Sequence, residues 1–163
     1  MENYGFLAGL AYLTAIAAFV VFVWNLQTLL RRCAPGNRAL RPALVWLQVV
    51  PVFGAIWQFF VVRALSESLG AESRSRGWQV ASRPSHSLGT AKATVDAVAL
   101  AHVLGFFAIL LAANSMPATA GSVVLSYFLF ASGLLQLASI ALWATYWSKM
   151  SKFSSSFRWF PAR

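Results

Sequence analysis

Four long apolar stretches alternate with basic, polar connections along the chain. The first runs from about Phe6 to Leu30 without a charge and is closed by Arg31 and Arg32; the second runs from about Ala43 to Val62, the third from about Thr94 to Ala113 and the fourth from about Val123 to Trp147. At a rise of 1.5 Å per residue, about 20 helical residues cross the hydrocarbon layer of a bilayer, and each stretch reaches that length. A lone strand would leave its backbone groups unpaired in lipid, so the pattern predicts helices throughout. The expected fold is an all-α, polytopic membrane bundle forming one domain over residues 1–163. The second segment is the exception in its interior, where Pro51 and Gly54 fall. Proline removes a helical hydrogen bond and clashes with the preceding turn, and glycine tolerates a reversal. That segment is therefore either a kinked span or a re-entrant hairpin that returns to the side it came from.

The polar connection 66–92 is rich in Ser, Arg and Gly. Its beginning, over 64–76, reads as a short amphipathic continuation of the second helix, and the remainder, with Pro84, reads as a loop. The tail, 149–163, interleaves Lys149, Lys152, Arg158 and Arg163 with Phe153, Phe157, Trp159 and Phe160. Cations and rings in that order suit the headgroup layer of an anionic leaflet.

Composition sharpens the class. Of 163 residues 59% are hydrophobic and 10% charged, with a mean hydropathy of +0.65, whereas a soluble domain carries about 25% charged residues. A disordered chain is excluded and a soluble enzyme disfavoured. The 13 Lys and Arg outnumber four acids, but no soluble basic face exists to present them to nucleic acid; they flank membrane segments instead, as the positive-inside bias requires. The first connection holds Arg31, Arg32, Arg38 and Arg41, the long one Arg63, Arg74, Arg76, Arg83 and Lys92, the tail four more, and the connection 114–122 none. Four full spans would split these charges between the two sides. A re-entrant second segment places all of them in the cytoplasm, and charge favours it. The start of the chain has neither a basic region nor a cleavage signal, so the first segment is expected to remain as an anchor. The expected location is the cell membrane, a bacterial inner membrane, with connections and tail cytoplasmic. Cys33, alone, makes neither an internal disulfide nor a metal site.

The run Asn37-Arg38, Arg41-Pro42, Val45-Trp46-Leu47, Pro51-Val52-Phe53, Trp57-Gln58-Phe59-Phe60-Val61-Val62 and Ser66-Glu67-Ser68-Leu69 resembles the core of a family of small bacterial four-segment membrane proteins without an established function. Tyr146-Trp147-Ser148-Lys149 matches the stretch on which members end. Gly54 stands where the family often has Asn or another polar residue, and the long connection is Ser-rich rather than of mixed charge. The resemblance implies a shared helical membrane fold and no activity.

Candidate chemistry is sparse. Glu67 and Glu72 would project about 140° apart on a helix and form no carboxylate pair. No nucleophilic triad, phosphate loop or metal-ligand spacing is present, and no cofactor or enzymatic activity is expected. Asp96 and His102 are ionisable groups in a membrane segment, where such groups are costly. Asp96 is expected in the first helical turn, near headgroup water, and His102 bonded to Gln136 or Gln48; a proton or cation path through Gln48, Asp96, His102 and Gln136 is the functional alternative. Rows of small residues, Gly5 and Gly9 on the first segment and Ala93, Ala97, Ala101 and Gly105 on the third, let helices approach closely in lipid, within the bundle or against a partner. The expectation is a non-catalytic accessory, scaffold or assembly subunit of a membrane complex, with a membrane-protein partner or a homo-oligomer. The alternative is a small oligomeric transporter or channel module with its site near Pro51, His102 and Gln136.

Overall fold

The structure, a computed structural model, describes residues 2–50, 52–112 and 118–159. Among the described residues there are no strands. The α-helices are α1 (Glu2–Arg32), α2 (Phe53–Ser75), α3 (His86–Ala112) and α4 (Ala118–Trp159), with 3₁₀ segments at Pro35–Asn37 and Pro42–Val49. Three helices are long and apolar enough to cross a membrane: α1 over Leu13–Arg32, α3 over His86–Ile109 and α4 over Gly121–Phe157. These support a membrane location.

Prolines punctuate the chain after α1. Each forces the preceding residue into extended backbone: Ala34 (φ −58°, ψ 145°) before Pro35, and Arg41 (φ −65°, ψ 129°) before Pro42. Val50 (φ −69°, ψ 121°) is likewise extended where the second 3₁₀ segment ends, immediately before Pro51, which lies outside the described residues. Val52 then takes φ 62°, ψ −57°, close to the strained classic γ-turn, and α2 begins. The second apolar segment is thus two arms rather than one helix. They run antiparallel: Trp57 Nε1 donates to the Leu44 carbonyl (2.8 Å), and the Ala39 amide donates to Ser68 Oγ (2.9 Å). Near the tip the arms approach so closely that a Cβ on Gly54 would lie 2.1 Å from the Gln48 carbonyl oxygen. Arg63, on the second arm, therefore returns to the end of the molecule that carries Arg41.

The hairpin lies between α1 and α3. Its first arm packs on α1, its second on α3, and α4 packs on both α1 and α3, closing a ring. The core sits at the basic end of this ring: Phe22, Leu26 and Leu30 of α1, Val45 of the first arm, Val61, Leu65 and Leu69 of α2, and Tyr146, Met150 and Phe157 of α4 are buried. Phe22 inserts edge-on among Trp143, Tyr146 and Trp147, with ring centroids 5.8–6.2 Å apart. Beyond the hairpin tip the helices are bare, with Leu13, Phe107, Leu111, Val123 and Phe130 exposed.

Two boundaries differ from the sequence reading. The helix α3 starts at His86 rather than near Thr94, because Gly89 lets it close on Val62 and Tyr146 (a Cβ there would meet them at 2.6 and 2.9 Å). The true loop is short: α2 ends in a Schellman turn, with Gly77 at φ 74° donating to the Arg74 carbonyl (3.0 Å) and Trp78 to that of Ser73 (2.9 Å). The described part of the tail is helical as well. It continues α4 to Trp159, which turns Phe157 inward onto Trp78 (5.5 Å) and leaves Lys149 and Lys152 exposed. Arg158 lies in the last turn of α4, and Arg163 lies outside the described residues.

Candidate functional site

The longer α3 moves two charged groups inward. Asp96 belongs to the third helical turn rather than the first, and Lys92, assigned by sequence to the connection, is helical one turn before it. Four residues apart on one helix, they share a face and form an ion pair. Gln58 of α2 reaches the same place: its amide donates to the Ala93 carbonyl (3.3 Å), and its Oε1 lies 3.5 Å from Lys92 Nζ. Ser139 of α4 donates to Asp96 Oδ1 at 2.6 Å. Lys92 and Gln58 are only 8% exposed. Gln48, on the first arm, completes the group, and its buried Nε2 has no hydrogen-bond partner among the described residues.

Gln48, Gln58, Lys92 and Asp96 line a cavity of about 190 Å³ at the hairpin tip, walled also by Phe19, Gly54 and Ala55, and Ser139 holds Asp96 from behind. Gly54 and Gln58 lie about 8–14 Å inside Arg63 along α2, at 1.5 Å per residue, so the cavity lies deep to the basic rim. Next to it, across Ala55, an apolar groove of about 310 Å³ runs between α2 and the stretch of α3 that follows Asp96.

Of the four polar residues singled out by sequence, the structure brings Gln48 and Asp96 together and leaves the others apart. His102 bonds to neither Gln136 nor Gln48. Its ring stacks on Phe128 (4.8 Å), with Nε2 3.5 Å from the Phe128 carbonyl, because α4 presents an aromatic rather than an amide at that level. Gln136 is exposed on another face of α4. The residues that sequence reasoning missed are Lys92, Gln58 and Ser139. The spacing of Lys92 and Asp96 was the available signal, hidden by the late helix start.

The small-residue rows divide as well. Ala93 is fully buried, and Ala97 and Ala101 line the apolar groove. Gly9 and Gly105 make no close approach among the described residues, since a Cβ at either would meet nothing within 4 Å there; Gly5 lies near the start of α1. Close approaches occur instead at Gly54, Gly89 and Gly70, the last against the Ser82 carbonyl.

A second polar centre lies at the basic end. Glu72, fully buried, accepts hydrogen bonds from the Ala34 amide (2.8 Å), Asn37 Nδ2 (2.8 Å) and Arg76 (Nε 2.8 Å, Nη2 2.6 Å). The Arg76 guanidinium lies 4.6 Å from the Phe157 ring and 5.8 Å from that of Trp78. One carboxylate thereby ties the turn after α1, the hairpin and the end of α4 together. Burial alone raises its pKa, but the hydrogen bonds from Asn37 and Ala34, with Arg76, outweigh it and hold the carboxyl below its ordinary value. Beside it, burial and the Glu72 charge push the Cys33 thiol up to about 12, so this cysteine stays protonated. Glu67 is separate, pairing at the surface with Arg63 and Arg83. No group of three or more metal-ligating side chains occurs among the described residues.

The fold and the pocket define an all-helical protein with three helices long and apolar enough to cross a membrane, and an ion-paired polar cavity between them. Comparison with protein-family models, curated proteins and solved structures finds no match.

Proposed function

We propose that this is a non-catalytic integral membrane protein of the cell membrane, an accessory or scaffold component that works by binding within the bilayer. In this reading α1, α3 and α4 span, the hairpin enters and leaves on the cytoplasmic side, and all basic connections face the cytoplasm. The observation that carries it is the hairpin-tip cavity, where Lys92, Asp96, Gln58 and Gln48 converge beside bare apolar helix faces, with Ser139 bonded to Asp96. Ionisable groups at such depth are expensive and mark function. The groups assembled there bind and donate; the nearest thiol, Cys33, belongs to the buried basic end and is a poor nucleophile.

Isolation in mild detergent, with mass measurement and identification of what travels with the chain, tests this. A stoichiometric foreign membrane protein is the expected result. One observation favours a second reading, transport: the Lys92–Asp96 pair lies beside a broken apolar segment, the usual pointer to a transport site. A symmetric homo-oligomer that catalyses flux in vesicles, lost on Asp96→Asn, would establish that reading instead.

A further inference from the structure

We propose that the hairpin-tip cavity and the adjoining groove together bind one phospholipid with a zwitterionic headgroup bearing a primary ammonium, the ethanolamine class. The inference rests on the membrane-inserted hairpin of the proposed function and goes beyond it by naming a ligand.

The charges select the headgroup. Lys92 and Asp96 stand one turn apart on the same wall of the cavity. An anion would confront Asp96 and a simple cation would confront Lys92, whereas a zwitterion complements both. The hydrogen-bond inventory agrees. Lysine has three donors, of which Asp96 and Gln58 take two. The third, with the two N–H groups of the buried Gln48 Nε2, which has no partner among the described residues, supplies three donors for a phosphate. A carboxylate offers about four acceptor positions; Lys92 and Ser139 use two at Asp96, leaving two for an ammonium.

Size narrows the class. A cavity of about 150 Å³ takes a benzene ring, so about 190 Å³ suits a phosphoethanolamine unit of similar heavy-atom count. A trimethylammonium is bulkier and has no N–H to donate. The groove supplies the other half of an amphiphile: Ile56, Phe59, Leu100 and Leu104 form its sides, and Ala97 and Ala101 leave it open for an acyl chain. Because Ala55 borders both spaces, one molecule can occupy both.

The full chain, delipidated in mild detergent and placed in nanodiscs containing equal phosphatidylethanolamine, phosphatidylcholine and phosphatidylglycerol, is then released for native mass spectrometry. One phosphatidylethanolamine per chain, at least tenfold preferred over the other two, is expected. The double variant Lys92→Gln/Asp96→Asn should abolish the preference, and Ala101→Phe should reduce retention of every lipid. Gln48→Leu, which leaves the ion pair intact, should weaken retention several-fold and keeps the test valid if the double variant fails to fold. No retained lipid, equal retention of the three headgroups, or retention indifferent to Gln48→Leu and Ala101→Phe would overturn the proposal. Cysteine labelling at Ala39, Ser75 and Ala118 separates the failures: hairpin topology without lipid preference refutes the lipid alone, whereas labelling of Ala39 from outside removes the hairpin as well.

Discussion

Replacing Gly54 by alanine strikes the contact that makes the second segment a hairpin. The added Cβ would lie 2.1 Å from the Gln48 carbonyl oxygen and 2.7 Å from its carbon, and ordinary contact begins near 3.4 Å, so the arms must separate by about 1.3 Å. The obstacle is backbone and cannot rotate aside. Overpacking of this kind costs about 1–3 kcal/mol, and the better helix propensity of alanine returns only about 0.5–1 kcal/mol. A net loss of about 1–2 kcal/mol is expected, a five- to thirty-fold fall in the folded-to-unfolded ratio. Gly105→Ala is the matched control, because its Cβ meets nothing within 4 Å; it should be neutral or stabilising. Titration of each variant from mild detergent into dodecyl sulfate, followed by tryptophan fluorescence, measures both. Equal stability of Gly54→Ala and Gly105→Ala would mean that the arms are not packed as described, and the hairpin would fall with them.

Val52→Gly should hold or raise stability in the same titration, because relief of about 1–3 kcal/mol of strain at φ 62° outweighs the about 0.5–1 kcal/mol entropy cost of glycine; a clear loss would place the turn elsewhere. Glu72→Ala leaves the Arg76 guanidinium, nearly buried, without its carboxylate, and should cost about 3–5 kcal/mol, seen as loss of folded protein after detergent extraction. Because the folded Glu72 carboxyl titrates below its ordinary value, its contribution is complete above pH of about 4.3 and disappears as pH falls through the folded value. Wild type should therefore lose more stability on acidification than Glu72→Gln, and parallel curves would contradict that. Cys33, with its thiol pushed up to about 12, should resist a maleimide at pH 8 in mild detergent and react once the chain is unfolded.

The apolar segments, their helical state and the break at Pro51 are legible in the sequence, because each is a local property: run length, hydropathy, and the dihedral restriction that proline imposes on its neighbour. The antiparallel return is legible only indirectly, through the distribution of arginine. What escaped the sequence depends on contacts between distant residues. Gly89, which lies in the connection read as a loop, is helical, and Val62 and Tyr146 occupy the space a Cβ there would need. That one misplaced boundary hid Lys92 from Asp96 and placed Asp96 in headgroup water. Glu72 gives no local sign that Asn37 and Ala34, far back in the chain, will cap it. His102 offers the opposite lesson: Gln136 was a chemically sensible partner, but the register of α4 brings Phe128 to it instead.

In the proposed topology the chain enters and leaves the membrane on one side between Arg41 and Arg63, and single cysteines in a Cys33-free background report on each connection separately. With an impermeant thiol reagent added outside intact cells, cysteines at Ala39 and Ser75, on the two sides of the hairpin, should both stay unlabelled until the membrane is permeabilised, while one at Ala118, at the start of α4, should label at once. Labelling at Ala39 with protection at Ser75 would mean that the second segment spans the membrane and is not a hairpin.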